Sequence, residues 1–189
     1  MKIICKRNFV WALSLALLAL ASPVLAREKT EDELIADLSS PNESKVTDAL
    51  LKLEKQFPTS TKAFPKMKEL LKDSRQKVRR KAARVLGVLH ADVNEENLKD
   101  ILALTKGSDP REIMDGLISL RGLKAESTVP ELVPLLKHSH PNVIRDTCRT
   151  LAVLGNKDLI PQIEPLLNHP EAAVKKDAQD AIFRLRQKA

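Results

Sequence analysis

Four side chains that could ligate a metal or move a proton lie close together in the stretch KHSHPNVIRDTCRTLAVLG, residues 137–155. His138, His140, Asp146 and Cys148 fall within a dozen positions of one another. Imidazole, carboxylate and thiolate groups bind zinc, and the same groups serve as general acids, bases and nucleophiles. Whether these four form a site depends on the elements that hold them.

The stretch belongs to one of five copies of an internal repeat. The copies are SKVTDALLKLEKQF, QKVRRKAARVLGVLH, REIMDGLISLRGLK, NVIRDTCRTLAVLG and AVKKDAQDAIFRLR. If Asp48, Lys81, Asp115, Asp146 and Asp177 are equivalent, the spacings are 33, 34, 31 and 31 residues. Apolar residues recur in each copy with a helical period, as Val78, Ala82 and Val85 do, and a second apolar segment precedes each copy. The unit is therefore predicted to be two helices and two turns, with repeats over roughly 30–58, 59–91, 92–124, 125–155 and 156–187.

Prolines place the histidines of the cluster in turns. Asp109-Pro110, His140-Pro141 and His169-Pro170 are predicted to open second helices, because a proline in the first turn of a helix loses no hydrogen bond. His169 is accordingly assigned the position of His140 one repeat later, and His138 lies in the same turn as His140. These histidines therefore belong to the turns that join the two helices of a repeat.

Cys148 and Asp146 have equally ordinary positions in the repeat. Cys148 aligns with Ala83, a small residue beside the core stripe, and Asp146 belongs to the recurring acidic position. A zinc site would need histidines of neighbouring repeats to converge, with no thiolate on that edge. We therefore predict that the chain has no metal site, and we predict no cofactor.

The repeat unit resembles a known family. Residues 128–155, TVPELVPLLKHSHPNVIRDTCRTLAVLG, carry Val-Pro in the first helix, Leu-Leu before the turn and Leu-x-x-Leu-Gly at the end of the second helix. In these features the unit resembles a HEAT repeat, and its short period is similar to that of the HEAT-like repeats of phycobilisome lyases. The resemblance extends from about Thr30 to Arg186. It implies an all-α fold, a right-handed α-solenoid of about five HEAT-like helical pairs, in which the second helices line a concave face that binds a partner, usually a protein. It identifies no activity, because function depends on sites and not on folds.

The N-terminus has the pattern of a cleaved secretory signal. Basic residues precede an apolar run of 13 residues, Phe9–Ala21, and small residues follow it. Spanning a bilayer as a helix takes about 20 residues, so the run is too short to be an anchor. We predict that residues 1–26 are removed and that residues 27–189 form one domain, periplasmic or secreted, with no membrane span.

Composition argues against several function classes. The whole chain carries +7, and residues 27–189 hold 29 basic and 25 acidic residues, which leaves +4. They contain no Tyr or Trp and only Phe57, Phe64 and Phe183, so base stacking with nucleic acid is disfavoured. The chain has no His-Glu dipeptide and no glycine-rich phosphate loop, and Cys148 has no partner for an intramolecular disulfide once residues 1–26 are removed. We therefore predict that the protein is not an enzyme.

The remaining informative feature is a stripe of mainly basic residues on the second helices. Lys77, Arg80, Lys81 and Arg84 follow one another on the second repeat, away from its core stripe. The predicted partner-binding set across the repeats is Lys77, Arg80, Lys81, Arg84, Met114, Arg145, Arg149 and Lys176. The HEAT resemblance gives an alternative, a ladder in which the recurring Asp115, Asp146 and Asp177 pair with cations of the adjacent repeat. Arg84 and Lys77 have no acidic equivalent nearby on that stripe, which makes them the better candidates for contacting a partner.

Two hypotheses for function follow from these features. The first is a non-catalytic exported scaffold that binds a protein partner through the concave face of its second helices. The second is a binder of anionic polymers or surfaces, such as glycan, lipid headgroups or nucleic acid, through a basic groove. The small net charge of +4 favours the first.

Overall fold

The computed structural model describes residues 27–188, and from Glu31 onward the chain forms one compact unit. The predicted signal lies outside the described residues, so its removal stays a prediction. The α-helices are α1 (Glu31–Asp37), α2 (Glu43–Gln56), α3 (Phe64–Glu69), α4 (Gln76–Val88), α5 (Glu95–Leu104), α6 (Pro110–Gly122), α7 (Val129–Leu132), α8 (Pro141–Leu154), α9 (Ile160–Ile163) and α10 (Ala172–Gln187).

The helices form two layers that alternate along the chain. The second helices of the repeats pack one on the next, α2 against α4, α4 against α6, α6 against α8 and α8 against α10. Each first helix lies against the second helix of its own repeat, as α1 does on α2 and α5 on α6. Stacked pairs of this kind share one continuous core, because a single pair cannot bury its apolar side. The predicted all-α solenoid of five helical pairs is confirmed.

Proline shapes the first helices of the last two repeats. Short α-helical segments, α7 and α9, continue as 3₁₀ segments over Val133–Lys137 and Glu164–Asn168. Pro134 and Pro165 lie at the start of these segments. Because proline has no N–H to donate, it interrupts the α-helical hydrogen bonds, and the chain tightens into the 3₁₀ form.

The second helices begin at prolines in only two of the three predicted places. Pro110 and Pro141 occupy the first turn of α6 and α8, after the N-caps Asp109 and His140. Pro170 does not open α10, which begins at Ala172 after the N-cap Glu171. That prediction was wrong, because the proline in the fifth repeat sits two residues earlier relative to the core stripe.

The core lies between the two layers and follows the predicted stripes. Val78, Ala82 and Val85 are fully buried on α4, and Leu151 is fully buried on α8. Glu112, which breaks the apolar pattern in the third repeat, is also buried. Its carboxylate accepts a hydrogen bond from the Gln76 side chain at 2.9 Å and lies 3.7 Å from Arg79. A buried carboxylate is tolerated when it is paired and hydrogen-bonded, and the preceding repeat supplies both partners.

Candidate interaction surface on the second helices

The histidines of the opening cluster serve the turns of the repeats. The Nδ1 atom of His138 accepts a hydrogen bond from the backbone N–H of His140 at 3.0 Å. In the fifth repeat, His169 accepts from the N–H of Glu171 at 3.1 Å. In the second repeat, Asp73 accepts from the N–H of Arg75 at 2.8 Å. Three repeats thus use a side-chain acceptor at one position to close the same turn.

These hydrogen bonds correct the predicted register of the histidines. His169 is equivalent to His138 and not to His140, because both follow a 3₁₀ segment and accept from the residue two positions on. His140 has a separate role as the N-cap of α8, where its ring accepts from the N–H of Asn142 at 3.3 Å. The proline pair in the sequence suggested the wrong alignment.

Cys148 lies in the core, as its alignment with Ala83 predicts. Its side chain is fully buried on α8. Burial raises the pKa of the Cys148 thiol to about 12, since a thiolate would lose its hydration there, and the charge of Asp177 adds to the shift. Thiols react as thiolates, so this cysteine is inert at neutral pH.

We expect Cys148 to be protected from thiol reagents in the folded protein. Ellman's reagent should react with it slowly in native buffer and completely in concentrated guanidinium, because both access and ionisation require unfolding. Stability should also fall as the pH rises past the ordinary pKa of a thiol, since the unfolded chain then loses a proton that the folded chain keeps. Rapid labelling of the native protein would contradict the buried position.

The two histidines and the cysteine of the opening cluster thus belong to a turn, a helix N-cap and the core. Over residues 27–188, no three His, Cys, Asp or Glu side chains are arranged so that they could hold a metal ion. In the same part of the chain, no helix is both long and apolar enough to cross a membrane.

The predicted stripe lies on the second helices α4, α6, α8 and α10. We call the surface formed by its residues the B face: Lys77, Arg80, Lys81, Arg84, Met114, Arg145, Arg149 and Lys176. On it, Arg80 of α4 reaches across to α6, where its Nε and Nη2 atoms lie 2.9 and 2.8 Å from Oδ2 of Asp115. Arg84 approaches the other oxygen of the same carboxylate, with Nη1 at 3.7 Å from Oδ1. Two arginines of one repeat thus hold the aspartate of the next.

The same arrangement recurs two repeats later. Arg145 donates from Nε to Oδ2 of Asp177 at 2.7 Å, and Arg149 donates from Nη2 to that oxygen at 3.0 Å. Arg149 also donates from Nη1 to Asp146 of its own helix at 3.1 Å. The two arginines occupy the positions of Arg80 and Arg84 in the repeat. The pairs at Asp115 and Asp177 therefore form the inter-repeat ladder that was the alternative interpretation, whereas Asp146, among the described residues, pairs within its own helix and not with the adjacent repeat.

Two expectations about the stripe change as a result. Arg84 has an acidic neighbour in Asp115, and Lys77 lies 3.7 Å from Glu43 of α2. Neither residue is the unpaired cation expected from the sequence, because the acid comes from an adjacent helix and not from nearby sequence. Met114, the apolar member of the set, is half-buried and packs against the core.

Lys81 and Lys176 are the members of the set that the ladder does not use. Lys81 is half-buried on α4 and Lys176 is exposed on α10. Within residues 27–188 neither ammonium group has an ion pair or a side-chain hydrogen bond. These two lysines are therefore the stripe cations available to a ligand.

Arg121 is a further cation that sequence reasoning missed. It follows the buried Leu120 on α6, at the position that Gly87 holds in α4 and Ala152 holds in α8. The repeat thus places a small residue there in two other copies, and the arginine is a departure from that pattern. The departure is visible in the sequence once the copies are aligned, but its significance depends on the surroundings of the side chain.

Comparison with known proteins shows what this architecture is similar to. The chain resembles the complex of CpcE and CpcF of phycocyanin lyase from Nostoc sp. PCC7120, with a TM-score of 0.73 and 23% identity over 100% of this chain and 70% of that chain. An engineered protein matches with a TM-score of 0.63 and 17% identity over 84% of this chain and 80% of that chain. A designed armadillo repeat protein in complex with peptide (KR)4 matches with a TM-score of 0.59 and 18% identity, over 80% of each chain.

No family model matches the sequence, and no curated protein matches it. At these identities the structural likeness defines the fold. The protein is an α-solenoid built from HEAT-like repeats, as the repeat unit in the sequence implied.

Proposed function

We propose that the protein is a non-catalytic scaffold that binds a segment of a partner protein on the B face. The observation that carries this proposal is that, in the described part of the chain, the arginines of that face are paired with aspartates, whereas two of its lysines are not. Four arginines fix neighbouring repeats to one another through Asp115 and Asp177, whereas Lys81 and Lys176 have no acidic partner within residues 27–188. The B face therefore has a frame, the arginine–aspartate pairs that fix neighbouring helices, and two lysines whose charges are free to pair with a ligand.

The frame matters because binding costs less on a surface that is already ordered. The ladder is partly buried, since the Asp177 side chain is 11% exposed and that of Arg145 is 31% exposed. The attraction in such a pair is offset by the desolvation of both charges, so the ladder adds little net stability. Its larger effect is on orientation, since an arginine held by a carboxylate of the next repeat fixes the spacing of both helices. Because these side chains are already ordered, they lose little conformational entropy when a partner segment binds.

The charge of the B face indicates the chemistry of the partner. A designed repeat protein of similar fold is in complex with peptide (KR)4, which is strongly basic. The B face has unpaired cations, so we expect the opposite preference, for an acidic or polar segment. The residues whose side chains could take part in catalysis are His138, His140 and Cys148. They serve turns, a helix N-cap and the core, which supports a binding role over a lyase role.

Localisation belongs to the same proposal. The signal-like N-terminus supports export to the periplasm or the cell exterior, where the partner would be met. The alternative ligand, an anionic polymer or surface, is less favoured because Asp115 and Asp177 neutralise much of the stripe. Such a polymer would also bind with a steep dependence on salt.

The test is charge reversal at the two unpaired lysines. We expect Lys81→Glu with Lys176→Glu to lower the recovery of the partner, after cross-linking in native cells and purification by a tag, on the order of tenfold. The matched control is Lys99→Glu with Lys137→Glu, two exposed lysines of the first-helix layer, which changes net charge equally. Equal recovery with both double variants, at unchanged helical content, would rule out the B face.

A further inference from the structure

A cavity of about 270 Å³ opens between the second helices of the third, fourth and fifth repeats. Three arginines line it, Arg121 from α6, Arg149 from α8 and Arg184 from α10. The carboxylates of Asp177 and Asp180 also line it, and its apolar wall includes Ala152 and Val153. The cavity exists because Ala152, a small residue, stands where the preceding repeat has Arg121.

The charges in this cavity are not balanced. Asp177 is already bound by Arg145 and Arg149, which between them contact both of its oxygens. Asp180 lies on the exposed side of α10 and makes no ion pair within residues 27–188. Arg121 is half-buried, and in the same part of the chain its guanidinium has no hydrogen bond and no ion pair.

A half-buried, unpaired guanidinium such as that of Arg121 lowers the stability of the fold, because its charge loses hydration and gains no partner. Burial lowers the pKa of the Arg121 guanidinium, because the charged form loses hydration, and the like charges of Arg149 and Arg184 act in the same direction. The charge of Asp146 opposes this shift. Buried charges in proteins are usually paired, and residues 27–188 supply no carboxylate in direct contact with this guanidinium.

We propose that the Arg121 cavity binds a carboxylate side chain of an acidic peptide segment. The inference rests on the proposed function, and it names the chemistry that the B face recognises and the place where it does so. The planar guanidinium of Arg121 can hold a carboxylate through two parallel hydrogen bonds, and Arg184 adds a second positive charge at the mouth. Val153, which is 39% exposed, offers the methylene groups of a glutamate an apolar surface.

The test uses a short fluorescein-labelled peptide of alternating glutamate and alanine, followed by fluorescence anisotropy with the purified protein. We expect Arg121→Gln to weaken binding about 10- to 100-fold, which is the loss typical of a charge-assisted hydrogen-bonded pair. Arg121→Lys should give an intermediate loss, because it keeps the charge and loses the paired geometry. The corresponding glutamine–alanine peptide should not bind.

The matched control is Arg186→Gln, which removes one exposed charge from α10 and does not line the cavity. It should change the affinity less than about twofold, as expected of a screened surface charge. Equal losses with Arg121→Gln and Arg186→Gln would overturn the proposal, and so would failure of the wild-type protein to bind the glutamate peptide. Binding of an acidic polysaccharide in place of the peptide would likewise overturn it, in favour of a polymer ligand.

The two proposals fail in different ways. If reversal of Lys81 and Lys176 abolishes partner recovery while Arg121→Gln leaves peptide binding intact, the B face stands and the cavity assignment is wrong. Circular dichroism of Arg121→Gln guards against misfolding. We expect an unchanged spectrum, since the substitution removes no hydrogen bond and no ion pair within the described residues and keeps most of the side-chain stem.

Discussion

Leu151→Ala is expected to lower the free energy of unfolding by about 2 to 5 kcal/mol, measured by urea melting. Leu151 is fully buried on α8, which packs against α6 on one side and α10 on the other. Truncation removes apolar contacts with neighbouring repeats and leaves a cavity that the surrounding helices fill only in part. Because contacts in a solenoid are local, the melt should also become less cooperative, with the last repeats unfolding first.

The control for this prediction lies on the same helix. Val153 is 39% exposed, so Val153→Ala should cost less than about 1 kcal/mol. A loss below about 1 kcal/mol for Leu151→Ala as well would mean that α8 does not turn this side toward the core.

Gly122→Ala should destabilise the protein by about 1 to 3 kcal/mol, because α4 and α6 approach too closely for a methyl group. A Cβ atom at Gly122 would lie 2.1 Å from the carbonyl oxygen of Gly87 and 2.6 Å from its carbonyl carbon. Both are backbone atoms, so the two helices would have to separate. Alanine favours a helix over glycine by about 1 kcal/mol, and the steric cost is expected to exceed that gain.

A second glycine separates the steric effect from the loss of glycine itself. A Cβ atom at Gly107 would lie 3.0 Å from Oε2 of Glu112, a side-chain atom, and not against backbone. That carboxylate is held by Gln76, but a shift of a few tenths of an ångström relieves the contact. Gly107→Ala should therefore cost clearly less than Gly122→Ala. A similar stability for wild type and Gly122→Ala would contradict the close approach of Gly122 on α6 to Gly87 on α4.

The fold could be predicted from the sequence because a repeat states its pattern several times. The apolar period of 3.6 seen on α4 and α8 is stated in several copies, so the break at Glu112 on α6 does not obscure the helix that it belongs to. The exception is instructive. Pro170 looked equivalent to Pro141, but the structure places the start of α10 after it, because the side chain of His169 closes the turn in the manner of His138.

The interaction surface was harder to predict, because its charges are balanced between helices that are distant in sequence. Arg84 and Lys77 looked unpaired, yet their acidic neighbours come from α6 and α2. Conversely, nothing in the local sequence shows that the Arg121 side chain lacks a partner. Which side chains pair depends on how far each helix is shifted along its neighbour. The repeat length varies from 31 to 34 residues, so the sequence leaves that shift undetermined by several ångströms.

Photo-cross-linking from single positions in native cells tests the B face most directly. A benzophenone side chain at position 77, an exposed position of the B face that leaves Lys81 and Lys176 in place, should give a discrete cross-linked protein product. The same group at position 99, exposed on the first-helix layer, should give none. Mass spectrometry of the product from position 77 should map the contact to an acidic segment of one partner. A product from position 99 alone would contradict binding on the B face, because the partner would then lie on the opposite layer.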